Sequence, residues 1–324
     1  MKETFKPKPW ARNSHVQSIF ASLRFRTMGN NPMVRCSRKI ILDGGNGVRL
    51  LGFHSAHEKH SGKGLILLLH GWEGSSDSTY ILHTGNYLFE KGYDIFRLNM
   101  RDHGRSHHLN EGLFHGGLID EIFNATCEAA ELSREKPFAV IGFSLGGNFA
   151  LRVALRHGEK PIRNLRHIIA ISAILDPLRS TRLIDNSLFI YRHYFLKKWK
   201  RSLVIKQGVF PDSYDFTDML KMKTLMEMTD GIIGKYSHFR NHREYFNFYT
   251  LRGQSLENLS VPLSLIISRD DPFIPVNDFY ELKGNGNLDL SVQPYGGHCG
   301  FLDPFPFGCW YEREIERIME QYTS

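Results

Sequence analysis

Ser144 sits where a nucleophile can be built. It is the centre of Gly142-Phe143-Ser144-Leu145-Gly146, a Gly-x-Ser-x-Gly spacing. The apolar run Phe138 to Ile141 precedes it and suits a strand buried on both faces. Phe149-Ala150-Leu151 and Val153-Ala154-Leu155 follow it and read as a helix ending near Gly158. A sharp strand-to-helix turn crowds the neighbouring backbone, and glycine fits there because it has no side chain. Such a turn lifts the Ser144 hydroxyl clear of a sheet. It also points the first free helix amide, that of Leu145, at the place where negative charge develops in acyl transfer.

A serine hydroxyl is a weak nucleophile at neutral pH. It needs a base, and the base needs an acid to hold its tautomer. His298 is the base candidate, on the flexible Gly296-Gly297-His298 loop after the last expected strand. Asp270 or Asp271, just past the strand Leu263 to Ser268, is the acid, and the other would cap the turn that follows. A tetrahedral oxyanion needs a second donor. The Trp72 amide is the candidate, because His70-Gly71-Trp72 follows directly on the aliphatic run Leu65 to Leu69, and Gly71 and Gly74 allow close approach. His70, Gly71 and Phe143 flank these positions and are the candidates for contact with substrate. This chemistry calls for no metal and no cofactor.

The elements that must position these residues are legible in the same pattern. Strands are expected at Val34 to Leu42, Val48 to Phe53, Leu65 to Leu69, Tyr93 to Leu98, Phe138 to Ile141, Leu165 to Ser172, Leu263 to Ser268 and Leu288 to Val292. Helices are expected at Tyr80 to Phe89, Leu118 to Leu132 and Trp310 to Tyr322. Alternation of this kind gives an α/β fold, a mostly parallel sheet covered on both faces. Ligands collect at the C-terminal ends of such strands. The regions of His70, Ser106, Ser144 and Asp176 all follow strands and so share one edge.

The rhythm breaks between Asp176 and about Ser260. Leu188 to Tyr191, Tyr194 to Leu196, Trp199 and Leu203 recur at helical spacing around Lys197-Lys198-Trp199-Lys200-Arg201. A second helix would hold Met219, Met222, Met226 and Met228, and a third would run from His242 to Tyr249. We therefore expect an N-terminal arm over residues 1–40, a core over 41–175 and 261–324, and a helical cap inserted at 176–260. The cap's aromatics and methionines either line an acyl pocket or form the segment's own core.

Length and composition narrow the class. A chain of 324 residues can bury a full core. No apolar run approaches the roughly twenty residues of a membrane span. Met1-Lys2-Glu3-Thr4-Phe5-Lys6-Pro7-Lys8-Pro9 lacks the apolar segment of a secretory signal. Cys36, Cys127, Cys299 and Cys309 show no metal spacing and read as reduced thiols, in keeping with a cytoplasmic protein. The net charge of +7 is uneven: +8 over residues 1–40, +5 over 176–260 and −6 over the rest. A basic arm and middle segment suit an anionic membrane surface or an acidic substrate, or else form a solvated face. No motif of a nucleic-acid-binding fold accompanies them. The sequence sets no oligomeric state.

These features resemble the α/β-hydrolase superfamily over nearly the whole chain. Several segments look like its YheT-like branch of esterases, AB hydrolase family four. They are Trp10-x-Arg12-Asn13-x-His15-x-Gln17-Ser18-Ile19, His70-Gly71-x-Glu73-Gly74-Ser75-Ser76, Gly142-x-Ser144-Leu145-Gly146-Gly147-Asn148, and Asp270-Asp271-Pro272-Phe273 with Gly296-Gly297-His298-x-Gly300-Phe301. The order Ser, Asp, His along the chain is the order of that superfamily. The resemblance implies an α/β-hydrolase fold and a triad of Ser144, Asp271 and His298, since the family places its acid just before the Pro-Phe segment. It implies hydrolysis of carboxylic esters, short-chain or lipid-like. Arg101-Asp102-His103-Gly104-Arg105-Ser106 departs from the branch's Arg-Gly-Cys-Ser-Gly loop, which bears on substrate class. Two other readings share the sequence: an acyltransferase with the same triad, and a non-catalytic binding protein on a hydrolase scaffold.

Overall fold

The computed structural model describes residues 4–58 and 62–322; Met1, Lys2 and Glu3 of the N-terminal stretch lie outside the described residues. One sheet holds β1 (Arg38–Gly45), β2 (Val48–Ser55), β3 (Leu65–Leu69), β4 (Asp94–Leu98), β5 (Phe138–Phe143), β6 (Leu165–Ile171), β7 (Leu263–Ser268) and β8 (Leu288–Gln293). Their spatial order is β1-β2-β4-β3-β5-β6-β7-β8. β1 and β2 pair antiparallel, as do β2 and β4. From β4 through β8 every pairing is parallel. The helices, in chain order, are α1 (Ser14–Ala21), α2 (Pro32–Arg35), α3 (Thr79–Glu90), α4 (Ile119–Glu131), α5 (Leu145–Glu159), α6 (Pro177–Asn186), α7 (Phe189–Val209), α8 (Leu225–Tyr236), α9 (His242–Phe248), α10 (Asn277–Tyr280) and α11 (Trp310–Glu320).

The unbroken aliphatic run of β3 follows from its position. Side chains alternate across a strand, so a strand covered on both faces must be apolar at every residue. Leu65, Leu67 and Leu69 face one layer, with Ile122 of α4 and with Phe149 and Val153 of α5. Ile66 and Leu68 face the other, with Ile81 and Leu88 of α3 and with Ile315 and Met319 of α11. Each such side chain, fully buried, stabilises the fold by about 1.5–3 kcal/mol. The parallel strands therefore end together on one edge, and the loops after β3, β5, β7 and β8 meet there.

Two local expectations give way to backbone chemistry. The segment beginning at Val34 is not strand throughout. Pro32 presets the first turn of α2, the Asn31 side chain accepts the Val34 amide proton at 3.0 Å, and β1 starts only at Arg38. The methionine helix also begins later than its spacing suggests. Thr224 caps α8 and pairs with Glu227 in a capping box, leaving Met219 and Met222 in a separate turn before it. Met219 and Met228 pack with Leu203 and Phe216 as a small core of their own, and no methionine lines the cavities described below.

Helices α6 to α9 occupy the stretch between β6 and β7. A buried ion pair ties α7 to the loop after β4. Lys206 Nζ lies 2.8 Å from Asp102 Oδ1 and also donates to the carbonyls of Asn110 and Gly112 at 2.6 and 3.1 Å. Asp102 Oδ2 accepts the Phe114 amide proton at 2.8 Å. Burial works against both charges, pushing the Asp102 carboxyl up and the Lys206 ammonium down from their ordinary values. Removing one partner strands the other in a dry site. Lys206→Met is therefore expected to cost about 3–5 kcal/mol in denaturant unfolding, and adding Asp102→Asn should recover part of that loss.

Candidate active site

The turn between β5 and α5 carries Ser144 at φ 55° and ψ −115°, a left-handed conformation costly for any residue with a side chain. The surroundings over-determine it. The Ser144 amide donates to Ile171 O at 2.9 Å, and the Ser144 carbonyl accepts from Asn148 and Ile174 at 3.1 and 3.2 Å. The flanking glycines leave no alternative. A Cβ on Gly142 would lie 2.1 Å from the Gly146 carbonyl oxygen, and one on Gly146 would lie 2.3 Å from that of Leu69. These are backbone atoms that cannot swing away.

Across the sheet edge, His298 Nε2 stands 3.0 Å from Ser144 Oγ, and its Nδ1 stands 2.9 Å from Asp271 Oδ2. The Asp271 side chain is fully buried. Its second oxygen accepts the Phe273 and Ile274 amide protons at 2.9 and 3.0 Å, so one carboxylate both shapes its own turn and meets the imidazole. Asp270 does a different job from the one expected. It does not cap the turn; its Oδ1 accepts the Gly297 amide proton at 2.9 Å and so holds the histidine loop.

Burial of His298, the largest single influence, works against the imidazolium, but the Asp271 carboxylate and Cys299 together outweigh it and hold His298 well above the ordinary histidine value of 6.5. A base must be neutral to accept a proton. Any turnover that uses His298 as its base should therefore fall as pH is lowered through a value above about 6.5, rather than at or below it. A pH–rate profile of kcat/KM on a non-ionising ester reads this limb directly.

The loop that carries His298 is clamped by residues distant in sequence. Ser18 Oγ on α1 accepts the His298 amide proton at 2.8 Å. Gln17 Oε1 accepts that of Leu302 at 2.7 Å. Ser268 Oγ donates to Gly297 O at 2.8 Å. Gly297 has φ 55°, and a Cβ there would lie 2.3 Å from Ser14 O, so α1 and this loop fit only through glycine. Asn13 caps α1, accepting from the His15 and Val16 amides. His15 Nδ1 lies 3.0 Å from the Tyr191 hydroxyl; the Tyr191 ring meets Phe273 edge-on, and Phe273 meets His298. The arm motif of the sequence is thus a support for the imidazole. The arm's aromatic and aliphatic residues pointed only to packing on the body, since contacts across some 280 residues leave no periodic trace.

The loop after β3 is fixed by two histidines whose role the spacing did not reveal. Met100 donates its amide proton to His70 Nε2 at 3.2 Å, so His70 Nδ1 carries the proton and donates to Gly71 O at 2.7 Å. Burial pushes His70 down to about 4, which keeps it neutral. His103 repeats the arrangement: it accepts from the Glu73 amide at 3.1 Å and donates to Arg101 O at 2.7 Å. His70, expected to contact substrate, is fully buried with both ring nitrogens engaged and lines neither of the two cavities at this edge. Phe143 also departs from expectation. It is the last residue of β5, and alternation turns its ring under the sheet against Tyr80 and Tyr311. Gly71 does line the cavity beside Ser144. Trp72 and Leu145 also stand at cavity walls, and among the described residues neither backbone amide meets an acceptor.

Two cavities meet at this edge. The larger, about 290 Å³, has Ser144 and His298 in its wall together with Ile19, Leu23, Tyr191 and Phe195. The smaller, about 110 Å³, runs beneath α7, α8 and α9 past Leu145, Trp199, Ile233 and Phe239. Trp72, stacked on Phe195 with ring centroids 5.5 Å apart, stands between them, as does Glu73. Burial pushes the Glu73 carboxyl up to about 8 against the pull of Lys198, which leaves it mostly uncharged at neutral pH and the cavities suited to apolar groups.

The model of the alpha/beta hydrolase fold matches residues 64–305, three quarters of the chain and every element named in the site except the arm. The chain belongs to the alpha/beta hydrolase fold family. Phospholipase ABHD3 of Bos taurus is 24% identical over 334 residues, covering 99% of this chain and 78% of its own. YheT of Escherichia coli (strain K12) is 22% identical over 308 residues, covering 92% of this chain and 87% of its own. The crystal structure of the Pyrococcus furiosus esterase Pf2001 superimposes with a TM-score of 0.57 at 16% identity, over 89% of this chain and 91% of that one, a likeness of fold. This alpha/beta hydrolase thus has esterase-like and lipase-like relatives. No helix among its described residues is long and apolar enough to cross a membrane.

Proposed function

We propose that this hydrolase cleaves carboxylic esters through Ser144, His298 and Asp271. The observation that carries the reading is the continuous chain of hydrogen bonds from Ser144 Oγ through His298 to Asp271, in the wall of an apolar cavity. His298 Nε2 takes the hydroxyl proton as Oγ attacks the ester carbonyl. Asp271 fixes the tautomer and stabilises the imidazolium. The Leu145 and Trp72 amides, which meet no acceptor among the described residues, receive the oxyanion. The imidazolium returns its proton to the leaving alkoxide, and the acyl group stays on Ser144. Water, deprotonated by His298, then releases the acid. The reaction needs no cofactor.

Apolar walls on both sides of Trp72 suit an ester with hydrocarbon at its acyl end. A panel of esters graded by acyl length, run with and without added alcohol, tests the reading. We expect free acid as the main product and a dependence on chain length. No turnover of any ester would refute it. Acyl transfer to the alcohol in preference to water would favour the acyltransferase.

A further inference from the structure

The mouth of the larger cavity carries more exposed apolar surface than a site for small soluble esters needs. Leu23, Ile190 and Tyr194 line this cavity, yet are 37%, 55% and 45% exposed. Beside Ile190 in the chain, Leu188 and Phe189 at the start of α7 are 52% and 68% exposed. Beyond Leu23, a ridge of rings continues along the arm. Trp10 meets Phe305, Phe305 meets Phe20, Phe20 meets Phe25, and Phe25 meets Phe307. Trp10 and Phe307, at its two ends, are 60% and 61% exposed. Isolated exposed apolar residues are ordinary, but a contiguous rim around a functional cavity is not.

The charge on the same elements is overwhelmingly positive. α7 carries six Lys or Arg and no acid. Four of the six are used internally: Lys206 in its ion pair, Lys198 on the Glu73 carbonyl, Lys200 on the Met222 carbonyl and Arg192 on the Asp185 carbonyl. Among the described residues Lys197 and Arg201 of α7, and Lys8, Arg12 and Arg24 of the arm, meet no carboxylate. Asp77, next in the chain to Ser78 of the cavity wall, and Asp303, two residues before Phe305, are paired with Arg97 and Arg313. Apolar side chains interspersed with free cations, on elements flanking one opening, match the hydrocarbon and phosphate layers of an acidic bilayer. A soluble protein partner would not need the rim to be continuous with the cavity.

We propose that the arm and the start of α7 form a docking surface for anionic phospholipid membrane, which seats the cavity mouth against the lipid. Leu188, Phe189 and Trp10 enter the interface, while Lys8, Arg24, Lys197 and Arg201 contact headgroup phosphates. The ester then reaches Ser144 from the bilayer without crossing water. This deepens the ester-hydrolase reading by naming its substrate class as membrane-borne.

The test separates binding from catalysis. The Ser144→Ala protein is sedimented with vesicles of phosphatidylcholine alone or with 30 mol% phosphatidylglycerol as an assay condition, at low and high salt. Binding is expected only to the acidic vesicles, and salt should weaken it. Leu188→Asp with Phe189→Asp, neither residue lining a cavity, should weaken vesicle binding by at least about tenfold. Aspartate at the α7 N-cap favours the helix, so folding should survive. The same pair on an active background should leave turnover of a soluble short-chain ester unchanged. Lys197→Glu with Arg201→Glu should weaken binding and flatten its salt dependence. Failure of the intact chain to bind acidic vesicles, or equal binding by the Leu188/Phe189 variant, would overturn the proposal. So would a concentration-dependent dimer that uses this face in place of lipid. Soluble-ester turnover without vesicle binding would overturn the docking surface alone, whereas binding without turnover of any ester would overturn the hydrolase reading alone.

Discussion

Ser144→Ala should lower ester turnover by about 10⁴-fold or more while leaving the fold intact. Among the described residues the side chain has one hydrogen-bonded neighbour, His298, and a cavity lies in front of it. Alanine removes only the oxygen, so the packing of β5 against α5 is unchanged. The left-handed backbone at 144 is held by amide and carbonyl bonds that alanine retains. A residual rate from the Leu145 and Trp72 amides and from binding is expected. Thermal unfolding of the variant should match that of the parent. Near-parental turnover would show that the hydroxyl is not the nucleophile.

The second large effect separates two adjacent carboxylates. Asp271→Asn should cost about 10⁴-fold in kcat, since the amide cannot stabilise the imidazolium and can impose the wrong tautomer on His298. It should also move the acid limb of the residual rate to lower pH. The carboxylate is the largest influence that raises His298; without it burial, which acts downward, meets only the smaller upward pull of Cys299. Asp270→Asn should be far milder. An amide oxygen can still accept the Gly297 proton, so the loop keeps its tie and the limb keeps its place. Equal losses in the two variants would contradict the assignment of Asp271.

How much of this was legible beforehand depends on the range of the interaction. The turn at Ser144 was readable because its causes are local. A buried strand, two glycines and a helix are consecutive, and the clashes that demand Gly142 and Gly146 arise from that geometry. The sheet was readable because burial on both faces makes β3 and β5 apolar throughout. Side-chain direction at strand ends was not. His70 and Phe143 adjoin the site in sequence but turn into the core, one to bond the backbone after β4 and the other to pack on Tyr80 and Tyr311. Which of two aspartates meets the histidine depends on how a short turn closes, and two carboxylates in succession look alike. α6 went unseen because it is largely polar; its start depends on Pro177 and on the Asp176 side chain accepting from Arg179. The support of His298 by Gln17 and Ser18 joins the two ends of the chain and is visible only once both are folded.

Covalent labelling with a fluorophosphonate, followed by mass spectrometry of the digested protein, puts the central claim to its most direct trial. Activated Oγ attacks phosphorus, fluoride leaves, and a stable phosphonyl-serine remains. The geometry predicts one adduct per chain, on the peptide containing Ser144, formed in step with loss of ester turnover and abolished by His298→Ala. No adduct on the active parent, or an adduct on another residue that tracks the loss of turnover, would contradict it.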